Sequence, residues 1–160
     1  MGYYVTTEQT NFTISKDKFD DCYKAMCKLN ERDDLKNGGG WNSTGISSDD
    51  PRPEGLDYHP AKWFSWMDAN YPEKCKTFVE ILYEIGFTDL WFHPTNGDLI
   101  GLSYDNKTGN ELDFFNVIAP FVEPNSYINW RGEDGEQWQW FFDGEKLIHK
   151  FAEIIYKELV

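Results

Sequence analysis

The sequence predicts an α+β fold, a single domain with a mainly antiparallel sheet and helices packed on one face. Three observations carry this expectation. Tyr127-Ile128-Asn129-Trp130-Arg131-Gly132-Glu133-Asp134-Gly135-Glu136-Gln137-Trp138-Gln139-Trp140-Phe141-Phe142 reads as a strand, an acidic turn and a second strand. Successive strand side chains alternate between faces, so Trp138, Trp140 and Phe142 share one. Two stretches repeat apolar residues at three- and four-residue steps, the spacing of a helix face. Finally, Asn96-Gly97 separates two strand-like runs and supplies the positive φ angles of a tight hairpin turn.

The elements follow in chain order. Residues 2–14 are rich in Tyr, Val, Thr, Phe and Ile and read as a first strand that can bend, ending where Ser15 caps a helix. Phe19, Cys22, Tyr23, Met26 and Leu29 line that helix, with Asp17 and Asp20 in its first turn where the helix dipole favours negative charge. From 36 to 60 the pattern stops: 17 of 25 residues are Gly, Pro, Ser, Thr, Asn or Asp, which makes this a long loop. Loops of that length inside a domain are either flexible tethers or binding loops, here one carrying Trp41. Gly38-Gly39-Gly40 lacks the Lys-Ser/Thr ending of a phosphate-binding loop.

Lys62-Trp63-Phe64-Ser65-Trp66-Met67 reads as a short strand, and Pro72 stands where a second helix can begin. Cys75, Phe78, Val79, Leu82 and Ile85 form its apolar face, and Gly86 terminates it. Strands at 87–93 and 98–104 should pair antiparallel. A third helix spans 111–122, limited by Pro120. Residues 145–160 fit either a strand followed by a helix or one continuous helix, the spacing of Leu147, Phe151, Ile154, Ile155 and Leu159 favouring helix.

The stretch from Ser126 through Gly132-Glu133-Asp134-Gly135, Trp138-Gln139-Trp140 and Phe142-Asp143-Gly144 resembles a loose group of small, largely uncharacterised bacterial and phage-associated proteins. Ile118-Ala119-Pro120-Phe121-Val122 looks similar as well. The resemblance covers the last quarter of the chain and implies the hairpin and a phage or mobile-element setting. It brings no catalytic residue with it.

Composition narrows the function classes. Fifteen Lys and Arg against 28 Asp and Glu give a formal charge of -13, which repels nucleic acid and anionic membranes and favours a basic protein partner. Charge of this kind also serves solubility. Without a charged leader followed by an apolar run, the expectation is a cytoplasmic protein, in the host cytoplasm if phage-encoded. Cys22, Cys27 and Cys75 lack redox or zinc spacing and read as reduced, buried thiols; His59, His93 and His149 are scattered and read as surface or half-buried structural residues. No cofactor or metal is called for.

The leading expectation is therefore a non-catalytic acidic interaction domain contacting its partner through Trp41, Trp130, Glu133, Asp134 and Glu136. Second comes a small-ligand or carbohydrate-binding domain with a platform drawn from Trp41, Trp63, Trp66, Trp91 and Trp130. Third is a small hydrolase with a dispersed Asp/Glu/His site. Sequence leaves the partner and the oligomeric state open.

Overall fold

The computed structural model describes residues 2–36 and 46–160. Six strands form one antiparallel sheet: β1 (Tyr4–Asn11), β2 (Phe87–Phe92), β3 (Leu99–Lys107), β4 (Ser126–Gly132), β5 (Gln137–Phe142) and β6 (Leu147–Phe151). Their order across the sheet is β2-β3-β1-β4-β5-β6. The helices are α1 (Phe19–Leu29), α2 (Tyr71–Lys74), α3 (Phe78–Ile85) and α4 (Glu111–Ile118). No helix among the described residues is long and apolar enough to cross a membrane.

The alternation of β4 and β5 builds the layer contact. Ile128, Trp130, Trp140 and Phe142 are buried on one face, whereas Tyr127, Asn129, Gln139 and Phe141 lie half-buried on the other, hereafter the outer face. Phe115 of α4 is the hub between layers: its ring lies 5.9 Å from Phe12, 5.5 Å from Phe87 and 5.4 Å from Trp140. Cys22, Met26 and Leu29 of α1 and Ile81, Leu82 and Ile85 of α3 complete the same core.

Several expectations change in the structure. Residues 62–67 form no strand: Trp63, Phe64 and Met67 all turn inward, a spacing that strand alternation cannot produce. Burial of this irregular stretch is made possible by specific polar bonds. The Trp63 indole N–H donates to Asn30 Oδ1 at 2.9 Å, and Asn30 Nδ2 donates to the Ala69 carbonyl at 3.1 Å. Phe64 lies so close to Gly109 that a Cβ there would meet its Cδ1 at 2.7 Å. The Tyr71 hydroxyl donates to the Met26 carbonyl, fastening the stretch to α1.

The second helix is two helices. α2 is a single turn with Pro72 near its start, and the chain leaves it at Cys75 in extended conformation, φ −95° and ψ 132°. Thr77 then opens α3 with a capping box: Thr77 Oγ1 accepts from Glu80 N at 3.1 Å while Glu80 Oε2 accepts from Thr77 N at 3.2 Å. Cys75 is therefore buried between two helices and belongs to neither. Gly86 ends α3 at φ 121°, as expected. Ser15 occupies the N-cap position of a 3-10 turn at Lys16–Lys18 but makes no side-chain cap bond. The third helix stops at Ile118 and continues as a 3-10 turn at Ala119–Phe121, where Pro120 has no N–H to offer. After β6, residues 152–160 form no helix, because their apolar side chains stay exposed among the described residues and so short a helix has little stability alone.

His59 is fully buried, contrary to a surface or half-buried placement. Its Nδ1 accepts from Ala61 N at 3.0 Å, which puts the ring proton on Nε2, 2.9 Å from the Asp50 carbonyl. This bond organises the described part of the 36–60 loop, where residues 46–60 form turns and bends only.

Candidate interaction surface

Of the residues expected to make contacts, Trp41 lies outside the described residues. Trp130 is only 1% exposed, wedged between Tyr104 and Trp140 at ring distances of 5.6 and 4.8 Å, so it belongs to the core and not to a surface. Trp63 is equally buried and leaves the platform for the same reason.

Glu133, Asp134 and Glu136 are exposed, but their turn is not simply solvated. Glu136 Oε1 accepts a hydrogen bond from the Tyr3 hydroxyl, which itself accepts from Asp134 N at 3.2 Å. Glu133 Oε1 accepts from Tyr4 N at 3.2 Å, and Glu133 N donates to the Tyr4 carbonyl at 3.0 Å. The tight approach explains Gly132, where a Cβ would sit 2.3 Å from the Tyr3 oxygen. The turn is a clasp that closes the β4–β5 hairpin over the start of β1. Donating to the Glu136 carboxylate raises the Tyr3 phenol pKa above its ordinary value, with burial adding to the effect.

The exposed aromatic surface lies at the other edge of the sheet. β2 pairs with β3 so that Asp89 faces Ser103, Leu90 faces Leu102 and Trp91 faces Gly101. Leu102 and Tyr104 are buried, and alternation therefore turns Asp89, Trp91, Gly101, Ser103 and Asp105 to the outer face. Trp91 is 51% exposed and its side chain packs over Gly101: a Cβ at that glycine would meet Trp91 Cε3 at 3.2 Å and Thr10 Oγ1 at 3.9 Å. A register shift between Trp91 and Phe92 leaves Phe92 and Ile100 exposed beside it, at 38% and 40%. Phe92 is steadied from behind by Phe19, 6.3 Å away edge-on. Asp89 and Asp105 are exposed and make no ion pair among the described residues. The result is an exposed aromatic ring packed over Gly101, with both carboxylates toward the same end of the strands, Asp89 two residues along β2 and Asp105 further along β3.

Trp66 is also exposed, at 39%, but its indole N–H donates to the Ile85 carbonyl at 3.0 Å and its ring packs on Phe64 at 5.1 Å. Its role in the fold is to close the end of α3. Sequence reasoning grouped Trp91 with the other platform candidates. What singles it out is the glycine beneath it, visible in the sequence but meaningful only once the register is known.

A separate cleft of about 420 Å³ opens along the outer face, lined by Glu8, Gln9, Asn129, Gln139 and Lys150 among others. Glu8 is paired with Arg131 at 2.6 Å, Gln139 Nε2 donates to Asn129 Oδ1 at 2.8 Å, and the Lys150 ammonium sits 4.1 Å over the Phe141 ring. Among the described residues no group of three or more His, Cys, Asp or Glu is placed to hold a metal ion. Cys22 and Cys75 are buried, which pushes their thiols up to about 12 and about 11, whereas Cys27 is only half-buried, contrary to expectation, and its thiol is raised by desolvation.

The chain matches no protein-family model, no curated protein and no solved structure.

Proposed function

We propose that this protein is a non-catalytic acidic interaction domain that docks its Trp91 face on a basic surface of a protein partner. The observation carrying this reading is the half-exposed Trp91, laid over Gly101, with Asp89 and Asp105 further along the same face and in no ion pair among the described residues. Exposed tryptophans dominate the energy of many interfaces, and one already held in a single orientation loses little freedom on binding. The overall charge of -13 steers a basic partner toward the domain, and the two aspartates fix its register on arrival. The phage or mobile-element setting enters only through the resemblance of the Trp-rich hairpin, and the host cytoplasm follows from that setting.

The test is affinity capture from native host lysate at low and high salt with wild type and Trp91→Ala side by side. A partner retained by wild type should be lost or weakened at least about 30-fold with Trp91→Ala, the effect of truncating a hot spot. Asp89→Asn with Asp105→Asn should slow association and flatten its salt dependence. A partner that binds wild type and Trp91→Ala equally would place the contact elsewhere.

The outer-face cleft favours a second reading, a site for a small polar ligand such as a carbohydrate, because amide side chains offer both donors and acceptors to hydroxyl groups. Titrating 15N-labelled protein with neutral oligosaccharides separates the two: this reading expects the Asn129 and Gln139 side-chain amide signals to shift while that of Trp91 stays fixed.

A further inference from the structure

Two apolar features without a partner among the described residues lie far apart in the sequence. The first is the run after β6. Ile154, Ile155, Tyr156, Leu159 and Val160 are at least 67% exposed, an accumulation of solvated apolar side chains found nowhere else among the described residues. Contiguous exposed apolar surface of this kind marks an interaction site in a soluble protein. The second is a groove of about 490 Å³ between α1 and α4, floored by Ala25, Leu29, Leu35 and Val117. Its rim carries Lys28 and Arg32 together with Glu31 and Asp113. The run carries the same mixture of signs, Glu153 and Glu158 with Lys157 between them. Arg32 is already engaged by Asp34 at 2.9 Å, whereas Lys28 has no ion pair among the described residues.

We propose that residues 153–160 of one copy dock in the α1/α4 groove of a second copy of this chain. The run has the apolar side chains that the groove floor needs, and Glu153 or Glu158 supplies the anion that Lys28 lacks. Docking a short peptide in an apolar groove is a common recognition mode, and reciprocal exchange across a twofold axis doubles the buried surface and closes the assembly. Ala152 N donates to the Gln137 carbonyl at 3.1 Å and anchors the root of the run to the sheet, so the exchanging segment begins immediately after it. Each copy carries a charge of -13, and added salt relieves their repulsion. This self-association should therefore strengthen with salt, the opposite of binding to a basic partner.

The experiment is light scattering on size-exclusion fractions of the full chain over a range of concentrations. It is combined with a fluorescein-labelled peptide of residues 153–160 titrated into a chain ending at Ala152. The full chain should pass from monomer to dimer with concentration, the shortened chain should stay monomeric, and the peptide should bind the shortened chain. Val117→Glu, in the groove floor, should abolish self-association of the full chain. Mixed with the shortened chain, that variant should form a 1:1 complex, because one contributes the segment and the other the groove. Lys28→Glu, on the exposed rim, tests the groove without threatening the fold and should weaken peptide binding at least tenfold, with recovery when both peptide glutamates are changed to lysine. Trp91→Ala should leave self-association untouched, which separates this proposal from the partner-binding reading. A full chain that stays monomeric at every concentration, a peptide that fails to bind, or a mixture that forms no complex would overturn it.

Discussion

Trp140 sits where the two layers meet, 3% exposed, with its ring 5.4 Å from Phe115 and 4.8 Å from Trp130. Trp140→Ala should lower stability by about 3–5 kcal/mol in urea denaturation, the range for truncating a large buried aromatic. The indole N–H groups of Trp130 and Trp140 are buried without a partner among the described residues. Because an unpaired buried donor is itself costly, Trp140→Phe should lose much less than the alanine variant. The Tyr3 clasp gives a second expectation at this scale. Tyr3→Phe and Glu136→Gln should each lower the melting temperature, whereas Asp134→Asn, which keeps the backbone N–H that donates to Tyr3, should not. Equal melting temperatures for all three would return the turn to a freely solvated one. Only part of this was legible beforehand. Alternation in the hairpin points Trp138, Trp140 and Phe142 to one face, but Trp130 reads as a contact residue, because an exposed and a buried tryptophan look alike until register places them.

Elements with one strong period were readable from the chain. The apolar stripe of α1, the Asn96-Gly97 turn with Gly97 at φ 79°, and both hairpins appear as the spacing demands. Segments whose burial comes from tertiary contacts were not. Residues 62–67 look like a strand because they are aromatic, yet the Trp63 and Phe64 side chains are placed by Asn30 and Gly109, residues far away in sequence. The break between α2 and α3 did have a local signal, the Thr77-Phe78-Val79-Glu80 capping box, masked by the helical spacing that runs across it. Thr77→Ala removes that cap and should cost about 0.5–2 kcal/mol in chemical denaturation. The loss should be concentrated in α3, where amide hydrogen exchange would speed up first, and exchange unchanged in α3 would show that packing alone holds its start.

At the scale of the whole molecule, the response to acid follows from a few buried or paired carboxylates. Burial pushes Asp33 up, but the hydrogen bonds and charges of Lys36 and Arg52 outweigh it and hold the carboxyl below its ordinary value of 3.8. Its contribution to stability is complete above that value and is lost as pH falls through the lowered native one. Glu111 acts in the opposite sense. Burial raises its carboxyl despite bonds from Thr108 and Gly109, so its ionised form costs stability at neutral pH. That cost fades as pH falls from the raised native value toward the ordinary 4.5. Melting curves should therefore show wild type gaining on Glu111→Gln as pH drops from neutral to 4.5, and a constant difference would contradict it. Sheet order has a consequence of another kind, in time. β1 precedes every other strand in the chain yet lies in the interior of the sheet, between β3 and β4. During synthesis at about 5–20 residues per second, roughly 6–23 s separate the end of β1 from the start of β4. β3 is made before β4, but throughout that wait the edge of β1 that receives β4 is open to wrong partners. The strand that waits is Tyr-Val-Thr-Thr-Glu-Gln-Thr-Asn, with Val5 its one fully buried residue, so the ribosome presents a polar strand and not a sticky one.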